Sequence, residues 1–530
     1  MIGARLIRSP ALWLSASVLA FFCLALGLAL ENYYSVANIH IDLPILVQAI
    51  SSTAHGRPLY DQFDCADTGR CSLLLVHPSL ALYLAVPFYE LAPTPITLLV
   101  LQTAAVALAA VPLYLIARRV GLSPPLSWAV CVVYLVYVPV VSSIIIAVNI
   151  EPFLPVELFA LFWLWQTRRF LWGLAVAALA SLTLEVAPVL IFFFGVFFVL
   201  PSLLGFARGI RSRLRTRTGT RGLRRVLSWA GNLLYRSDGA AAMGLMVFAV
   251  AAYFSLRLFV EHGYLFGLPR LPPGYSVSAN IANPYFSPTL GALKTDLVHK
   301  LEYWALAFGL LGFVGLLVPR TLVLAVPWAA YTLLTYAPDY TTFGQHYGIV
   351  AAIPLMISFA YGLKRLTATT SSSRSSRLTR SRKRWVSWLV PLLVAIVAVN
   401  LVVGPASPVA THLVGGNLLF SKQYPVDWNR TPGFAAIQSL CSRVPWNATV
   451  ATPTALWLFV ANDPNSYTYP FYPHESSLPF NTSTPQYVLV AGWHHKFPSG
   501  GLPDVDAADY SLVGTAPYTS VGAVALYERR

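Results

Sequence analysis

The stretch LLLVHPSLALYLAVPFYELAPTPITLLVLQTAAVALAAVPLYLIARR, residues 73–119, ends on Arg118 and Arg119, and this pair decides how the chain threads a membrane. Residues 96–117 are predominantly apolar and carry no charge, and about 20 such residues suffice for a helix to cross hydrocarbon. Arginines that flank a span stay on the cytoplasmic side. If 73–92 were also a span, Arg118 and Arg119 would fall outside. Pro78 and Pro87 each remove a helix hydrogen bond within it. We therefore expect a re-entrant or interfacial segment, tolerated at membrane depth only where protein or a wet cavity satisfies the backbone. The alternative is a twelfth span that breaks the charge rule once.

The same test along all 530 residues gives spans near 11–30, 96–117, 128–148, 152–167, 170–185, 187–206, 240–260, 301–318, 320–338, 347–363 and 386–404. That predicts an all-α polytopic protein of the cell (plasma) membrane, with about eleven crossings and a cytoplasmic amino terminus. The length of 11–30 and its lack of a small-residue cleavage site mark it as an uncleaved anchor. Composition agrees: 56% of residues are hydrophobic and 11% charged, against about 25% charged in soluble domains.

The net charge of +15 follows the threading. Arg5, Arg8, Arg118, Arg119, Arg168, Arg169, Arg320, nine arginines from Arg208 to Arg236 and eight basic residues from Lys364 to Arg384 fall on the cytoplasmic side, 24 of the 36 in the chain. Asp238 is nearly their only acidic companion. Loops of this kind meet anionic lipid rather than nucleic acid.

Two domains follow: a polytopic part, 1–404, whose external loop 31–95 carries an amphipathic and a re-entrant helix, and an extracytoplasmic α/β domain, 405–530. In the tail, ADYSLV and AVALYERR have strand patterning, and VPWNATVATPTALWLFVA predicts a strand followed by a helix. The three glycosylation sequons, at Asn429, Asn447 and Asn481, all lie in it. Cys65 and Cys71, in the external loop, are spaced for a disulfide, with two free thiols as the alternative. Cys23 and Cys131 fall in spans, and Cys441 in the tail.

The chain has no phosphate-binding Gly-rich loop, no HExxH and no paired Cys-x-x-Cys, so an ATP-driven pump, metal hydrolysis and a structural zinc lack support. His494 and His495 are adjacent and are expected to be solvated. The informative residues are ionisable groups at external span ends, where burial is costly. Asp42 lies in NIHIDLPILVQAISSTAHG, whose Ile39, Ile41, Leu43, Leu46, Val47 and Ile50 form the apolar side of a membrane-surface helix. A carboxylate there is placed to take a proton from a hydroxyl, although a helix-capping aspartate would have the same sequence. His77 precedes Pro78, Glu151 opens a span, and Glu185 sits among apolar residues at a turn. An interfacial imidazole and a dipole-favoured carboxylate are the plain alternatives for the first two. Arg57, Arg257, Arg270, Lys294, Lys300 and His346 are the external groups available to a lipid phosphate, and Arg257 lies within a span.

The order of these features, a DLxxxxQ helix with a following HG, then the 73–119 stretch, then HYGIVAAIPLMISFAYGL and a small terminal domain, resembles the domain-of-unknown-function 2079 family of prokaryotic membrane proteins. That family is similar to the GT-C glycosyltransferases, which pass a sugar from a polyprenyl-phosphate carrier to an acceptor on the external face. The resemblance implies a GT-C-like fold, with Asp42 as general base and Gln48, His77, Glu151, Glu185, Arg257 and His346 binding substrate. Asp42 and Gln48 match the ends of the family's D-L-G-I-F-D-Q stretch, His77 its histidine before the re-entrant helix, Glu151 the glutamate of F-H-P-E and Glu185 that of K-E-D. The second aspartate of the first stretch is Val47 here, and the neighbours of Glu185 are Leu184 and Val186, leaving one acid at each place. The implied donor is a polyprenyl-phosphate sugar; no further cofactor and no metal-ligating residue is assigned, and the sequence does not specify a metal requirement. The implied partners are membrane lipids and the lipid-linked sugar; no oligomeric state is implied. A non-catalytic protein that binds or transports a lipid-linked glycan is the alternative. A structural membrane protein with a ligand-binding tail would lack an outward cavity lined by Asp42, His77 and Glu151.

Overall fold

The computed structural model of the chain describes residues 9–36, 41–214, 237–262, 268, 290–368, 378–414, 419–422, 424–469, 485–491, 509–517 and 523–530. Every apolar block expected to span contains helix, but 301–318 and 320–338 are broken by turns and 3-10 segments. Four helices have the length and apolarity of a full crossing: Pro10–Tyr34, Pro95–Val120, Asp238–His262 and Gly348–Ala368. Pro124–Val136 and Val138–Ile145 make a fifth only if taken together, across a 43° bend. Among the described residues, helix length and composition alone mark four full spans, or five with the bent pair, and the other expected crossings fall on shorter or broken helices. Among the remainder, Leu154–Gln166 and Phe170–Thr183 have 13 and 14 residues, about 20 Å of helix each. Segment 73–92 is two 3-10 turns, Leu73–Leu75 and Leu80–Ala85, and a helix Val86–Leu91. Its apolar run Leu80–Leu91 would reach only about 18 Å as ideal helix, short of a crossing.

Gly348–Ala368 is the central helix, hydrophobic all round and buried along almost its whole length, as an enclosed helix must be. Gly362 allows it to touch the 3-10 turn Val314–Leu317, since a Cβ there would overlap the Val314 carbonyl. Pro10–Tyr34 and Asp238–His262 are peripheral instead. They turn Leu19, Leu24, Val247 and Phe254 outward, a surface suited to lipid and not to water.

The bend has its own hydrogen-bond partner. Tyr137 leaves the helical conformation ahead of Pro139, and the Val138 N–H freed there donates to Asn400 Oδ1 at 3.1 Å. Asn400 Nδ2 in turn donates to Leu310 O at 2.7 Å and Ile396 O at 2.9 Å. One buried amide thus satisfies irregular backbone at membrane depth.

Within 405–530 the described strands form a five-stranded sheet: β1 Val450–Pro453, β2 Ser466–Tyr469, β3 Tyr487–Ala491, β4 Tyr510–Pro517 and β5 Ala523–Arg529. The order is β2-β1-β3-β5-β4, parallel among the first three and antiparallel across β5. A 3-10 helix, Thr454–Phe459, follows β1, and Phe434–Cys441 packs against β4.

This sheet is fastened to the helical part. Gln48 is fully buried and its Nε2 donates to Asp463 O and Ser466 O, both at 2.9 Å, and to Ser466 Oγ at 3.1 Å. Ser51 Oγ donates to Asn462 O at 2.7 Å, and Thr431 N to Tyr34 O at 2.8 Å. Arg430 Nε donates to Glu31 Oε2 at 2.7 Å. The helix Asp42–Ala54 is therefore enclosed, with residues 43–52 all buried, rather than lying open at a membrane surface.

Candidate functional site

Three helical segments begin around one cavity. Asp42 is the first residue of Asp42–Ala54, Glu151 opens the 3-10 turn Glu151–Phe153 that leads into Leu154–Gln166, and His346 lies two residues before Gly348–Ala368. Each acid sits where the exposed N–H groups of a helix start favour negative charge. The cavity has a volume of about 180 Å³, and its polar wall is Asp42, Asp64, His77, Asn149, Glu151 and His346.

His346 is buried between the two acids: Nδ1 lies 3.7 Å from Asp42 Oδ2 and Nε2 lies 3.5 Å from Glu151 Oε1. An imidazole that faces a carboxylate from each nitrogen can hand a proton between them. On its other side the His346 ring packs on Tyr347 at 3.9 Å between centroids, and Tyr347 packs on Tyr340 at 4.1 Å.

His77 enters from segment 73–92, held where the chain passes between two 3-10 turns. Its Nδ1 is 3.0 Å from Glu185 Oε1, with both side chains about 40% exposed, and His77 lines the cavity. Burial by itself lowers an imidazole pKa, but the Glu185 carboxylate overrides it, and His77 is held up at about 10. The Glu185 carboxylate thus favours the protonated form of His77. Asp61 behind it is fully buried, caps the helix Gln62–Thr68 by accepting from Asp64 N at 2.7 Å, and is pushed well above the usual carboxylate range by burial and by Asp64. The Cys65–Cys71 disulfide closes this loop.

The sequence missed Asn149 and Asp64. The Asn149 backbone N–H is fixed by Gln102 Oε1 at 2.6 Å, while its buried Nδ2 has no partner among the described residues. Its place two residues before Glu151 in VNIEPF was the available signal. Behind Ile150 lies a second cavity, about 170 Å³ and largely apolar, walled by Leu82, Leu84, Phe88 and Phe153 and ending on Glu157. Thr183 Oγ1 donates to Glu157 Oε1 at 2.8 Å.

The structure therefore brings Asp42, His77, Glu151, Glu185 and His346 together, and places the other expected residues elsewhere. Gln48 joins the tail to the Asp42 helix. Arg257 pairs with Glu261 at 3.1 Å, one turn along the same exposed helix. Lys300 Nζ is consumed by Ala292 O, Leu333 O and Thr335 O at 2.7–3.1 Å. Arg57 reaches Asn465 Oδ1 at 3.4 Å, and Lys294 ends the short helix Leu290–Lys294. Arg270, His494, His495 and Asn481 lie outside the described residues. Asn429 and Asn447 are exposed on the tail, the latter paired with Asn465. No group of three or more His, Cys, Asp or Glu has metal-binding geometry among the described residues.

Among solved structures, the chain resembles ArnT from Cupriavidus metallidurans bound to undecaprenyl phosphate, at 12% identity and a TM-score of 0.48 over 97% of each chain. It also resembles the oligosaccharyltransferase AglB from Archaeoglobus fulgidus, in complex with an inhibitory peptide and a dolichol-phosphate. There the identity is 13% and the TM-score 0.39, over 89% of this chain and 69% of that one. No curated protein matches the chain. Residues 33–501 match the profile of the family described as predicted membrane protein (DUF2079), and the chain belongs to that family.

Proposed function

We propose that the protein is a GT-C-like glycosyltransferase of the membrane that moves one sugar from a polyprenyl-phosphate donor to an acceptor hydroxyl at the extracytoplasmic face. The observation that carries this reading is the meeting of Asp42, His77, Glu151 and His346 on one cavity, beside an apolar cavity that shares Ile150 as a wall. About 180 Å³ is below the usual range for drug-sized ligands, which favours a single sugar over a chain of sugars.

In the step, the acceptor oxygen bonds to the anomeric carbon as the carbon–oxygen bond to phosphate breaks, and polyprenyl phosphate leaves. Asp42 takes the acceptor proton, with His346 and Glu151 behind it as the path for that proton. The charge developing on the leaving phosphate is met by the His77 imidazolium and the Asn149 amide. His77, fixed by Glu185, thus takes the part expected of an external arginine or lysine. The tail holds the Asp42 helix in place through Gln48 and Ser51.

The test is glycolipid and envelope-glycan profiling of a deletion strain carrying either the wild-type gene or Asp42→Asn, with both proteins present at equal level in the membrane. The wild type restores a missing glycan and Asp42→Asn does not. Equal restoration removes Asp42 as the base. An unchanged profile on deletion favours binding or transport of a lipid-linked glycan instead.

A further inference from the structure

At the far end of the central helix lies a second polar site of opposite sign. Arg320, Lys364 and Arg365, with Tyr361, Pro319 and Val318, line an open cleft of about 440 Å³. Tyr347 and Arg365 are 18 residues apart along Gly348–Ala368 and its start, about 27 Å of helix. That is close to the hydrocarbon thickness of a bilayer, long enough to set the acidic cavity and the basic cleft at opposite headgroup levels.

The three cations are arranged, not merely gathered. Lys364 Nζ donates to Gly121 O at 2.9 Å, which anchors the side chain by one donor and leaves its other ammonium N–H groups available, and Arg365 Nη1 donates to Leu317 O at 2.6 Å. The Arg320 guanidinium lies over the Tyr361 ring, 5.6 Å from its centroid. Gln166 Nε2 fixes the Tyr361 hydroxyl at 3.0 Å. No acidic residue lines the cleft among the described residues, and the sequence from Lys364 to Arg384 contains none. Helix-end carbonyls account for Lys364 and Arg365, but not for Arg320, which no described carboxylate neutralises. Beside the cleft, Phe313, Leu316 and Leu317 are 50%, 41% and 39% exposed, offering apolar surface directly next to the charge.

We propose that this cleft binds the phosphate headgroup of an anionic membrane lipid, in the leaflet opposite the acidic cavity. Arg320 and Lys364 meet the phosphate oxygens, and the acyl chains lie along Phe313, Leu316 and Leu317. The adjoining apolar surface favours a lipid over free phosphate, whose recognition needs the same donors but not those side chains.

The test uses the full chain in nanodiscs of phosphatidylcholine, with or without phosphatidylglycerol. Bound phosphatidylglycerol is counted by native mass spectrometry and its affinity taken from a titration. Arg320→Ala/Lys364→Ala should bind phosphatidylglycerol about thirtyfold more weakly, as two lost cations at a membrane surface predict. Arg320→Ala alone should weaken binding by about fivefold; Arg320 caps no carbonyl among the described residues, so this variant keeps the test intact if the double variant does not fold. Equal affinity in wild type and Arg320→Ala overturns the site. Displacement of the lipid by inorganic phosphate, with phosphate protecting the wild type from heat as well as phosphatidylglycerol does, overturns the lipid assignment.

Discussion

Replacing Gln48 with methionine, close in size but unable to hydrogen-bond, separates two roles for a fully buried residue. In the structure its amide gives two N–H groups to Asp463 O and to the Ser466 carbonyl and hydroxyl, and takes one from Gln62 N at 2.6 Å. Each such bond is worth about 1 kcal/mol net, so losing the two N–H groups given to the tail costs its attachment about 2 kcal/mol, while stranding the Gln62 N–H destabilises the external loop separately. Opening of the tail from the Asp42 helix then becomes about thirtyfold more frequent, since about 1.4 kcal/mol is a factor of ten. Amide hydrogen exchange reads this directly: protection in β1 and β2 should fall by about one and a half decades, while protection in Gly348–Ala368 stays. Unchanged protection in β1 and β2, with only substrate affinity lost, would refute the fastening role and return Gln48 to the substrate site.

The His77 pKa sits above its unfolded value of 6.5, so the stabilisation from the Glu185 pair is complete below about pH 6.5 and is lost progressively as pH rises to about 10. The stability difference between wild type and His77→Gln, followed by thermal unfolding in detergent, should shrink across that window, and a pH-independent difference would contradict the pairing. Asn400→Leu strands the Val138 N–H and the Leu310 carbonyl at the helix break. At about 0.6 kcal/mol per hydrogen bond within membranes it should destabilise by about 2 kcal/mol in a denaturant titration, and a neutral result would mean that water or backbone replaces the amide. Cys71→Ser opens a six-residue loop and should cost about 2 kcal/mol by loop entropy, with proteolysis appearing first in 61–77, which carries Asp64 and His77.

The acidic half of the site was legible because Asp42, His77, Glu151 and His346 are ionisable groups beside apolar blocks, where solvation makes them conspicuous. Amides carry no such signal. Gln48 reaches carbonyls more than 400 residues away, and Asn400 reaches a break 262 residues away, so their roles depend on which backbone groups folding leaves unpaired. Arg257, within an apolar helix, raised the expectation of a functional partner, but Glu261 one turn away provides the ordinary surface pair. The number of full-length helices was hidden for a related reason. Hydropathy averages over Tyr137–Pro139 and over the 3-10 turns at 314–324, where backbone geometry changes while side-chain character does not. Segment 73–92 is the converse: Pro78 and Pro87 marked its irregular backbone, and that irregularity is what carries His77 to the cavity.

The central claim is most directly tested with purified protein in proteoliposomes containing polyprenyl phosphate labelled in its sugar. Given a membrane extract as acceptor source, the wild type should release polyprenyl phosphate and transfer label at equal rates, with Asp42→Asn reduced by at least about a hundredfold, the usual scale for loss of a general base. Transfer that proceeds unchanged in Asp42→Asn, or label that crosses the bilayer still attached to its carrier, would contradict the account.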